Sequence, residues 1–282
     1  MIKGNILKLL LIFFSALLLN SCISVTQPRL SFSWPVESFV KYETYVYKQT
    51  CTPSDPNNLD SNCYQKISGA VGSGSIIAES FDGVYILTAA HMCDRSEDIK
   101  NFKEIDRRMG IYSEATKYFD KHSIFNLEQI KYKVEIIGFD HEIDSCIVFA
   151  WGFFGKTLSI AKSGPGIGEK IYNFAASAGF FGKNMVPLFD GYYIGDWDEV
   201  TSVYTIPVIG GSSGSPIVNE SGDLIGLVFA RHSNFHHIAI SPKFNNLRKF
   251  ILDTIKIDAK KRSVERELNE SRSIIIKFNQ KQ

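Results

Sequence analysis

Short apolar segments separated by turn residues run through most of the chain. The first half has an alternating segment at 36–50 and strand-like segments at 72–78, 84–88, 131–139 and 147–151. The second half has shorter apolar segments, punctuated by glycine, at 158–161, 170–175, 184–195, 203–208, 216–219, 224–230 and 237–241. Short strands at regular spacing are typical of a barrel or a sandwich. The pattern therefore predicts an all-β fold.

Two segments have a different pattern. Residues 95–119 carry many charges with spaced apolar positions, which predicts a helix or an irregular insertion. Near the C-terminus, Leu247, Ile251 and Ile255 recur at helical spacing. We therefore expect residues 246–282 to form a helix and a charged tail.

The N-terminus has the pattern of a targeting segment. Lys3 and Lys8 precede an apolar run at residues 9–19, which is too short to span a bilayer comfortably. Such a segment predicts a signal peptide at residues 1–21 and export of the protein. Residues 22–35 are polar with two prolines, and we interpret them as a tether.

The end of this segment, Leu-Asn-Ser-Cys at residues 19–22, resembles the cleavage site of a bacterial lipoprotein. The resemblance implies that Cys22 is the acylated first residue of the mature chain, since several acyl chains on one cysteine attach a protein stably to a membrane. The protein would then be anchored in the bacterial cell envelope and face the periplasm or the exterior. A plain secretory signal and a short membrane anchor are the alternatives.

The composition fits a folded domain and excludes a strongly charged partner. Hydrophobic residues make up 44% of the chain and aromatic residues 13%, which is enough for a core. The formal net charge is only +1. A balance this close to neutral does not indicate binding to nucleic acid, and we expect none.

The sequence Gly-Gly-Ser-Ser-Gly-Ser-Pro at residues 210–216 predicts a tight loop around a nucleophilic serine, Ser213. A serine hydroxyl needs a base to remove its proton and donors to stabilise the oxyanion that forms. Glycines on both sides allow backbone N–H groups to converge on one point. By itself, the composition of the loop favours an ordinary Gly/Ser turn.

Two other motifs precede this loop. An apolar strand at residues 85–91 runs through Thr-Ala-Ala into His91, and Asp144 opens another apolar strand at residues 144–150. The order His, Asp, Ser and the sequences TAAH and GSSGSP resemble the chymotrypsin-like serine proteases, in particular the bacterial trypsin-like peptidases. The resemblance covers about residues 65–245.

This resemblance implies two antiparallel β-barrels followed by the C-terminal helix. The peptidase domain would occupy residues 36–245, with the first barrel at about 36–155 and the second at about 156–245. His91 and Asp144 would come from the first barrel and the nucleophile from the second. The active site would then lie in the cleft between the barrels.

The resemblance also implies a serine endopeptidase that acts on peptides or unfolded proteins. Ser213 would attack the scissile carbonyl, His91 would take and return the proton, and Asp144 would orient His91. The N–H groups of Gly211 and Ser213 would form the oxyanion hole. Asp140, in the turn before Asp144, is the second candidate for the acid. This chemistry requires no cofactor, and we expect no metal site.

The cysteines fit an oxidising compartment. Cys51 and Cys63 bracket a loop rich in Pro, Asn and Asp, which predicts a disulfide between them. Cys93 and Cys146 each lie two residues after a predicted catalytic residue. If those two catalytic residues are in contact, a second disulfide is plausible. Two buried free thiols are the alternative.

The substrate pocket should lie between the residues before Ser213 and the strand that follows it. The candidate lining residues are Pro207, Val208, Ile209, Phe229, Ala230 and Arg231. Pro207 stands where trypsin-like specificity would need an aspartate. Val208 and Val228 are the nearest matches to the threonine and histidine with which glutamyl endopeptidases hold an acidic side chain. We therefore expect a small or apolar residue at P1, the residue before the scissile bond.

Ser212, directly before the nucleophile, replaces the aspartate that trypsin-type zymogens pair with a newly cut N-terminus. We therefore expect no activation by burial of a new N-terminus. A catalytically silent binding lipoprotein on the same fold is the alternative function, and an esterase is a third.

Overall fold

The computed structural model describes residues 34–51 and 63–279, with side chains up to residue 266. The predicted signal peptide, the candidate lipidation site Cys22 and the tether up to residue 33 lie outside the described residues. The interior of the loop between Cys51 and Cys63 also lies outside them.

The first half forms a closed antiparallel barrel of six strands. The strands are β1 (Phe39–Gln49), β2 (Tyr64–Ser80), β3 (Gly83–Thr88), β4 (Lys117–Phe125), β5 (Lys131–Asp140) and β6 (Ser145–Trp151). Around the barrel they follow the order β1-β2-β3-β6-β5-β4. Strands β3 and β6 are buried along nearly their whole length, which explains why their sequences are continuous apolar runs.

The charged segment between β3 and β4 contains two helices, α1 (Ala90–Cys93) and α2 (Ser96–Arg108). The helix prediction for residues 95–119 is therefore correct for α2. The end of that segment belongs to strand β4, which the sequence pattern did not predict. The residues of β4 are mostly polar, and its place is fixed by backbone pairing with β1, for example Tyr45 opposite Lys121.

The second half is an antiparallel sheet of seven strands. They are β7 (Lys170–Phe174), β8 (Leu188–Asp196), β9 (Thr201–Tyr204), β10 (Pro216–Val218), β11 (Leu224–Leu227), β12 (Ala230–His232) and β13 (Phe235–Pro242). Their order is β11-β10-β7-β8-β9-β13-β12, so this half is a half-barrel whose end strands do not pair with each other. The predicted all-β double-barrel fold is confirmed. The strand predicted at residues 158–161 is reduced to a single bridge between Ile160 and Leu224.

A long C-terminal helix, α3 (Phe244–Asn279), joins the two halves. It contacts β11 of the sheet and β5 and β6 of the barrel. Its first turns bury Leu247 and Ile251, as the helical spacing predicted. The predicted C-terminal helix is thus confirmed, and it begins at Phe244.

Buried charges fix α3 on the barrel. The guanidinium of Arg262 bonds to Asp258 and Glu135, and it lies 3.9 Å from the ring centre of Phe149. The hydroxyl of Tyr85 donates to Asp258 at 3.0 Å. Burial, reinforced by this hydrogen bond, raises the pKa of Tyr85 to about 12. Tyr85 is therefore a neutral phenol over the physiological pH range.

We expect Arg262→Ala to lower the free energy of unfolding by about 3 kcal/mol, because removing one partner of a buried ion pair leaves the other charge uncompensated. Arg266→Ala is the matched control. Arg266 is one turn further along α3, and its side chain is 44% exposed. It should cost less than about 1 kcal/mol. Chemical denaturation followed by circular dichroism measures both values, and equal losses for the two variants would contradict the prediction.

Candidate active site

Pairing of β3 with β6 brings the predicted base and acid together. The two strands are antiparallel, with Thr88 opposite Cys146. His91 follows β3 and Asp144 precedes β6, so both lie at the same end of the ladder. His91 Nδ1 is 2.8 Å from one oxygen of Asp144, and the backbone N–H of His91 donates to the other oxygen at 2.9 Å.

This two-point contact orients the imidazole. With Nδ1 bonded to the carboxylate, a proton on Nδ1 leaves Nε2 as the acceptor. The His91 side chain is 45% exposed and Asp144 is 21% exposed, so the imidazole faces solvent while its partner lies beneath it. The arrangement is that of a general base held by an acid.

Asp140, the second candidate for the acid, has a different role. Its side chain accepts a backbone hydrogen bond from Glu142 at 2.9 Å and holds the turn between β5 and β6. At the end of this turn Asp144 adopts a positive φ of 43°, a conformation that aspartate tolerates better than most residues. The turn therefore presents Asp144, and not Asp140, to His91.

A second carboxylate lies close to His91 in sequence without contacting it. Asp94 accepts a hydrogen bond from Ser96 and lies 3.0 Å from His141. Partial burial opposes ionisation, but the hydrogen bonds from Ser96 and the neighbouring His141 hold the pKa of Asp94 below its usual value. Asp94 therefore stays ionised without competing for the base.

Both predicted disulfides are present. Cys93 and Cys146 are bonded, with their Cα atoms 6.5 Å apart, and Cys51 is bonded to Cys63. The first bridge links the helix that carries His91 to the strand that follows Asp144. This buried disulfide therefore cross-links the segment of His91, the predicted base, to that of Asp144, the predicted acid.

The loop around Ser213 in the second half docks on the barrel. The carbonyl of Ser213 accepts a hydrogen bond from the N–H of Ser73 in β2 at 2.7 Å. A Cβ atom added to the adjacent Gly72 would lie 2.9 Å from the carbonyl oxygen of Ser213 and 2.9 Å from the side chain of Met92. Ser213 therefore lies next to the residue that follows His91.

The hydrogen bond expected between His91 and the Ser213 hydroxyl is not formed in this structure. Ser213 is half-buried, and its hydroxyl makes no hydrogen bond to any residue that the structure describes. In unligated enzymes this bond is often long and shortens only when substrate binds. The structure thus joins His91 to Asp144 and brings Ser213 to them through its backbone.

The peptide between Gly210 and Gly211 has a defined orientation. The carbonyl of Gly210 accepts a hydrogen bond from the N–H of Ala178 at 2.6 Å. In a trans peptide the N–H points the opposite way, so the N–H of Gly211 faces away from Ala178. Within the described chain, neither this N–H nor that of Ser213 has a hydrogen-bond partner. Both predicted oxyanion-hole donors are available.

Only glycine fits at the two flanking positions. Gly211 has a φ of +97°, and a Cβ atom there would lie 2.2 Å from the carbonyl oxygen of Ala176. Gly214 has a φ of +85°, and a Cβ atom would lie 2.1 Å from the carbonyl oxygen of Ser73. The glycines that the sequence marked as permissive are required by close backbone approach.

Two serines that the sequence analysis did not select support the loop. The buried hydroxyl of Ser73 donates to the carbonyl of Gly211 at 2.8 Å and accepts from the N–H of Ala176 at 2.9 Å. The hydroxyl of Ser177 lies 2.9 Å from that of Ser212. Ser73 belongs to a Gly-Ser-Gly-Ser segment in β2, but nothing in its spacing points to a residue in the distant loop.

The predicted pocket residues fall into two groups. Val208 and Val228 lie in one buried apolar cluster together with Ala239. Ile209 is 52% exposed, and Pro207 is partly buried. Strand β12 lies at the edge of the sheet and begins with Ala230 and Arg231. Phe229 directly precedes it. Phe229 packs against the core of the first barrel, so this edge begins at the junction between the two halves.

Comparison with known proteins identifies the family. The family model of the trypsin-like peptidase domain matches residues 72–227. The chain belongs to this family. The trypsin-like peptidase match spans all three motifs, TAAH, Asp144 and GSSGSP. A search of curated protein sequences finds no match.

Solved structures of bacterial proteases share the fold of this trypsin-like peptidase. The serine endoprotease from Yersinia pestis superposes with a TM-score of 0.53 at 14% identity, covering 79% of this chain. The match spans 64% of the Yersinia chain, which is less than two thirds of its length. A protease from M. tuberculosis in its active form has a TM-score of 0.52 at 12% identity, covering 76% of this chain and 79% of its own.

In the part of the chain that the structure describes, no cluster of three or more His, Cys, Asp or Glu side chains could hold a metal ion. Among the described helices, none is long and apolar enough to cross a bilayer.

We expect Ser73→Ala to lower the free energy of unfolding by about 1–3 kcal/mol, because it leaves a buried carbonyl and a buried N–H without their partner. Ser75→Ala is the matched control. Ser75 is equally buried in the same strand, but its hydroxyl has no hydrogen-bond partner. Its removal should cost less than about 0.5 kcal/mol. Urea denaturation measures the free energy of unfolding of both variants. A loss for Ser75→Ala as large as that for Ser73→Ala would contradict the supporting role of the Ser73 hydroxyl.

Proposed function

We propose that this trypsin-like peptidase is an exported serine endopeptidase with His91, Asp144 and Ser213 as its catalytic triad. The observation that carries the proposal is the two-point contact of Asp144 with His91, next to the docked loop of Ser213. A binding protein would not need an imidazole held in one orientation beside a serine between two free N–H donors.

In the proposed mechanism, Ser213 Oγ attacks the scissile carbonyl while His91 Nε2 takes its proton. Asp144 stabilises the imidazolium that results. The oxyanion of the tetrahedral intermediate accepts hydrogen bonds from the N–H groups of Gly211 and Ser213. His91 then protonates the leaving amine, which leaves an acyl-enzyme. Water attacks the acyl-enzyme by the same steps, and Ser213 is regenerated.

The edge of β12 is the proposed docking strand for the substrate. An edge strand presents unpaired N–H and C=O groups to which an extended peptide can add. Val228, just before β12, accepts a hydrogen bond from the N–H of Gly214 at 2.7 Å, so this edge starts beside the nucleophile. Phe229, Ala230 and Arg231 would then pair with the substrate residues that precede the scissile bond.

Small or apolar residues are the proposed preference at P1. The site proposed for the P1 side chain lies beside the buried apolar cluster of Val208, Val228 and Ala239, which are at most 7% exposed. Pro207 offers no charge at the position where trypsin-like specificity needs one. An apolar wall cannot compensate the desolvation of a charged side chain.

Activation by a new N-terminus is not part of the proposal. Ser212 is fully buried, and its hydroxyl is already paired with Ser177 at 2.9 Å. Neutral hydrogen bonds therefore hold the loop where a zymogen would use an ion pair.

We also propose that the protein is lipid-anchored through Cys22 in the bacterial envelope. The apolar run at residues 9–19 and the Leu-Asn-Ser-Cys sequence support the anchor. Two disulfides in the described chain fit an oxidising compartment. Peptides or unfolded proteins of the envelope would be the substrates.

We expect Ser213→Ala to abolish labelling by a fluorophosphonate probe and to lower kcat/KM for peptide hydrolysis by about 10⁴-fold or more, because it removes the nucleophile. Ser221→Ala, in the exposed turn before β11, is the control and should label like the wild type. In-gel fluorescence and a fluorogenic peptide assay measure both effects. A folded wild type that takes up no probe would refute the enzyme and support the binding protein.

We expect a peptide library to show preference for Ala, Val or another small apolar residue at P1, because the pocket walls are apolar. The measurement is the mass-spectrometric map of cleavage sites in a proteome-derived library, with the Ser213→Ala variant as the blank. Dominant cleavage after Arg or Glu would show that the pocket is wrongly described.

A further inference from the structure

We propose that Arg231 makes this peptidase select substrates with an acidic side chain at P3, the third residue before the scissile bond. The inference rests on the proposed function, because it takes the edge of β12 as the docking strand. It adds a substrate class that the apolar P1 pocket does not define.

The guanidinium of Arg231 has no partner within the part of the chain that the structure describes. Most of the other arginines there are paired. Arg95 bonds to Asp98, Arg262 to Asp258, and Arg266 lies 3.6 Å from Asp82. Arg231 is exposed on an edge strand and makes neither a hydrogen bond nor an ion pair with a described residue. Its charge is therefore free to meet a ligand.

Strand register places Arg231 on the face that lines the P1 pocket. Arg231 is paired with Ala239 of β13, and side chains of directly opposite residues project from the same face. Ala239 is fully buried in the cluster that contains Val208 and Val228. The next residue, His232, stacks on Trp197 at 6.0 Å on the other face. Arg231 thus lies on the face of the sheet that carries the apolar cluster of Val208, Val228 and Ala239.

Antiparallel pairing brings the P3 residue opposite Arg231. The attacked carbonyl must lie at Ser213, beside the Val228 end of the strand, and the preceding substrate residues run along β12 in the opposite direction. If P1 lies opposite Phe229, then P3 lies opposite Arg231, two residues further on. In an extended peptide P1 and P3 project from the same face, so the P3 side chain meets the guanidinium when P1 fills the pocket.

The surroundings of Arg231 favour an anion. The hairpin of β12 and β13, residues 230–242, contains one arginine and three histidines but no aspartate or glutamate. His237, two residues before Ala239, is exposed. Asp196, which lines the same pocket as His232, is already bonded to Tyr193, Ser202 and Lys243. A substrate carboxylate would therefore meet no acidic side chain of this hairpin.

The test uses product-like tetrapeptides, Ala-Xaa-Ala-Val, with Glu, Gln or Lys at Xaa and a fluorescent acyl label on the N-terminal amine. Valine occupies P1, so Xaa occupies P3. Binding to the full chain carrying Ser213→Ala is measured by fluorescence anisotropy, which needs no catalysis. We expect the Glu peptide to bind about three- to tenfold more tightly than the Gln peptide, the range of a solvent-accessible charge-assisted contact.

Three variants in the same background sharpen the test. Arg231→Gln should equalise the affinities for the Glu and Gln peptides, because it removes the charge that distinguishes them. Arg231→Glu should reverse the preference, so that the Lys peptide binds best. Arg248→Gln, on the exposed side of α3, removes an equal charge away from the cleft and should retain the preference for Glu.

Equal binding of the Glu and Gln peptides by the parent protein would overturn the inference. So would a preference for Glu that survives Arg231→Gln, or one that is lost in Arg248→Gln. Failure of the proposed function has a different signature. In that case the wild type takes up no fluorophosphonate, whereas the dependence of peptide binding on Arg231 remains.

Discussion

The antiparallel pairing of β3 with β6 is the constraint on which the site depends. It is a ladder of six residue pairs between two strands that are buried except at Trp151, running from Gly83 opposite Trp151 to Thr88 opposite Cys146. A slip of one residue would exchange the side chains on the two packed faces of a strand, so the register is strongly fixed. The same register fixes the distance between His91 and Asp144. The core thereby sets the geometry of the proposed base.

Ser213 reaches His91 across the boundary between the first barrel and the seven-stranded sheet, and Ser73 spans that boundary with its hydrogen bonds. Its N–H bonds to the carbonyl of Ser213, its hydroxyl bridges Gly211 and Ala176, and its carbonyl accepts a hydrogen bond from Thr88 at 2.8 Å. The N–H and the hydroxyl of this barrel residue thus hold the loop of the second half, while its carbonyl ties it to Thr88 of β3. Precision at the site comes from this link as well as from the loop's own glycines.

The sequence predicts the parts of this protein in which local pattern and chemistry coincide. The apolar runs of β3 and β6 and the motif around Ser213 can be predicted from the sequence, because each follows one period or one spacing. Strand β4 cannot be predicted in this way, since its residues are mostly polar and backbone pairing alone places it. The structural roles of Ser73 and Arg262 cannot be predicted from the sequence for a related reason. The loop partners of Ser73 and the Glu135 partner of Arg262 are far away in sequence, and a single chain carries no signal that joins them.

One small feature of the loop has a wider consequence. Ser212 and Ser177 meet through two uncharged hydroxyl groups, at a position where a zymogen would use an ion pair. Hydroxyl groups do not titrate in the physiological range, and salt does not screen a hydrogen bond between them. The envelope location proposed above would expose the loop to changes of pH and ionic strength. The contact between Ser212 and Ser177 is insensitive to both.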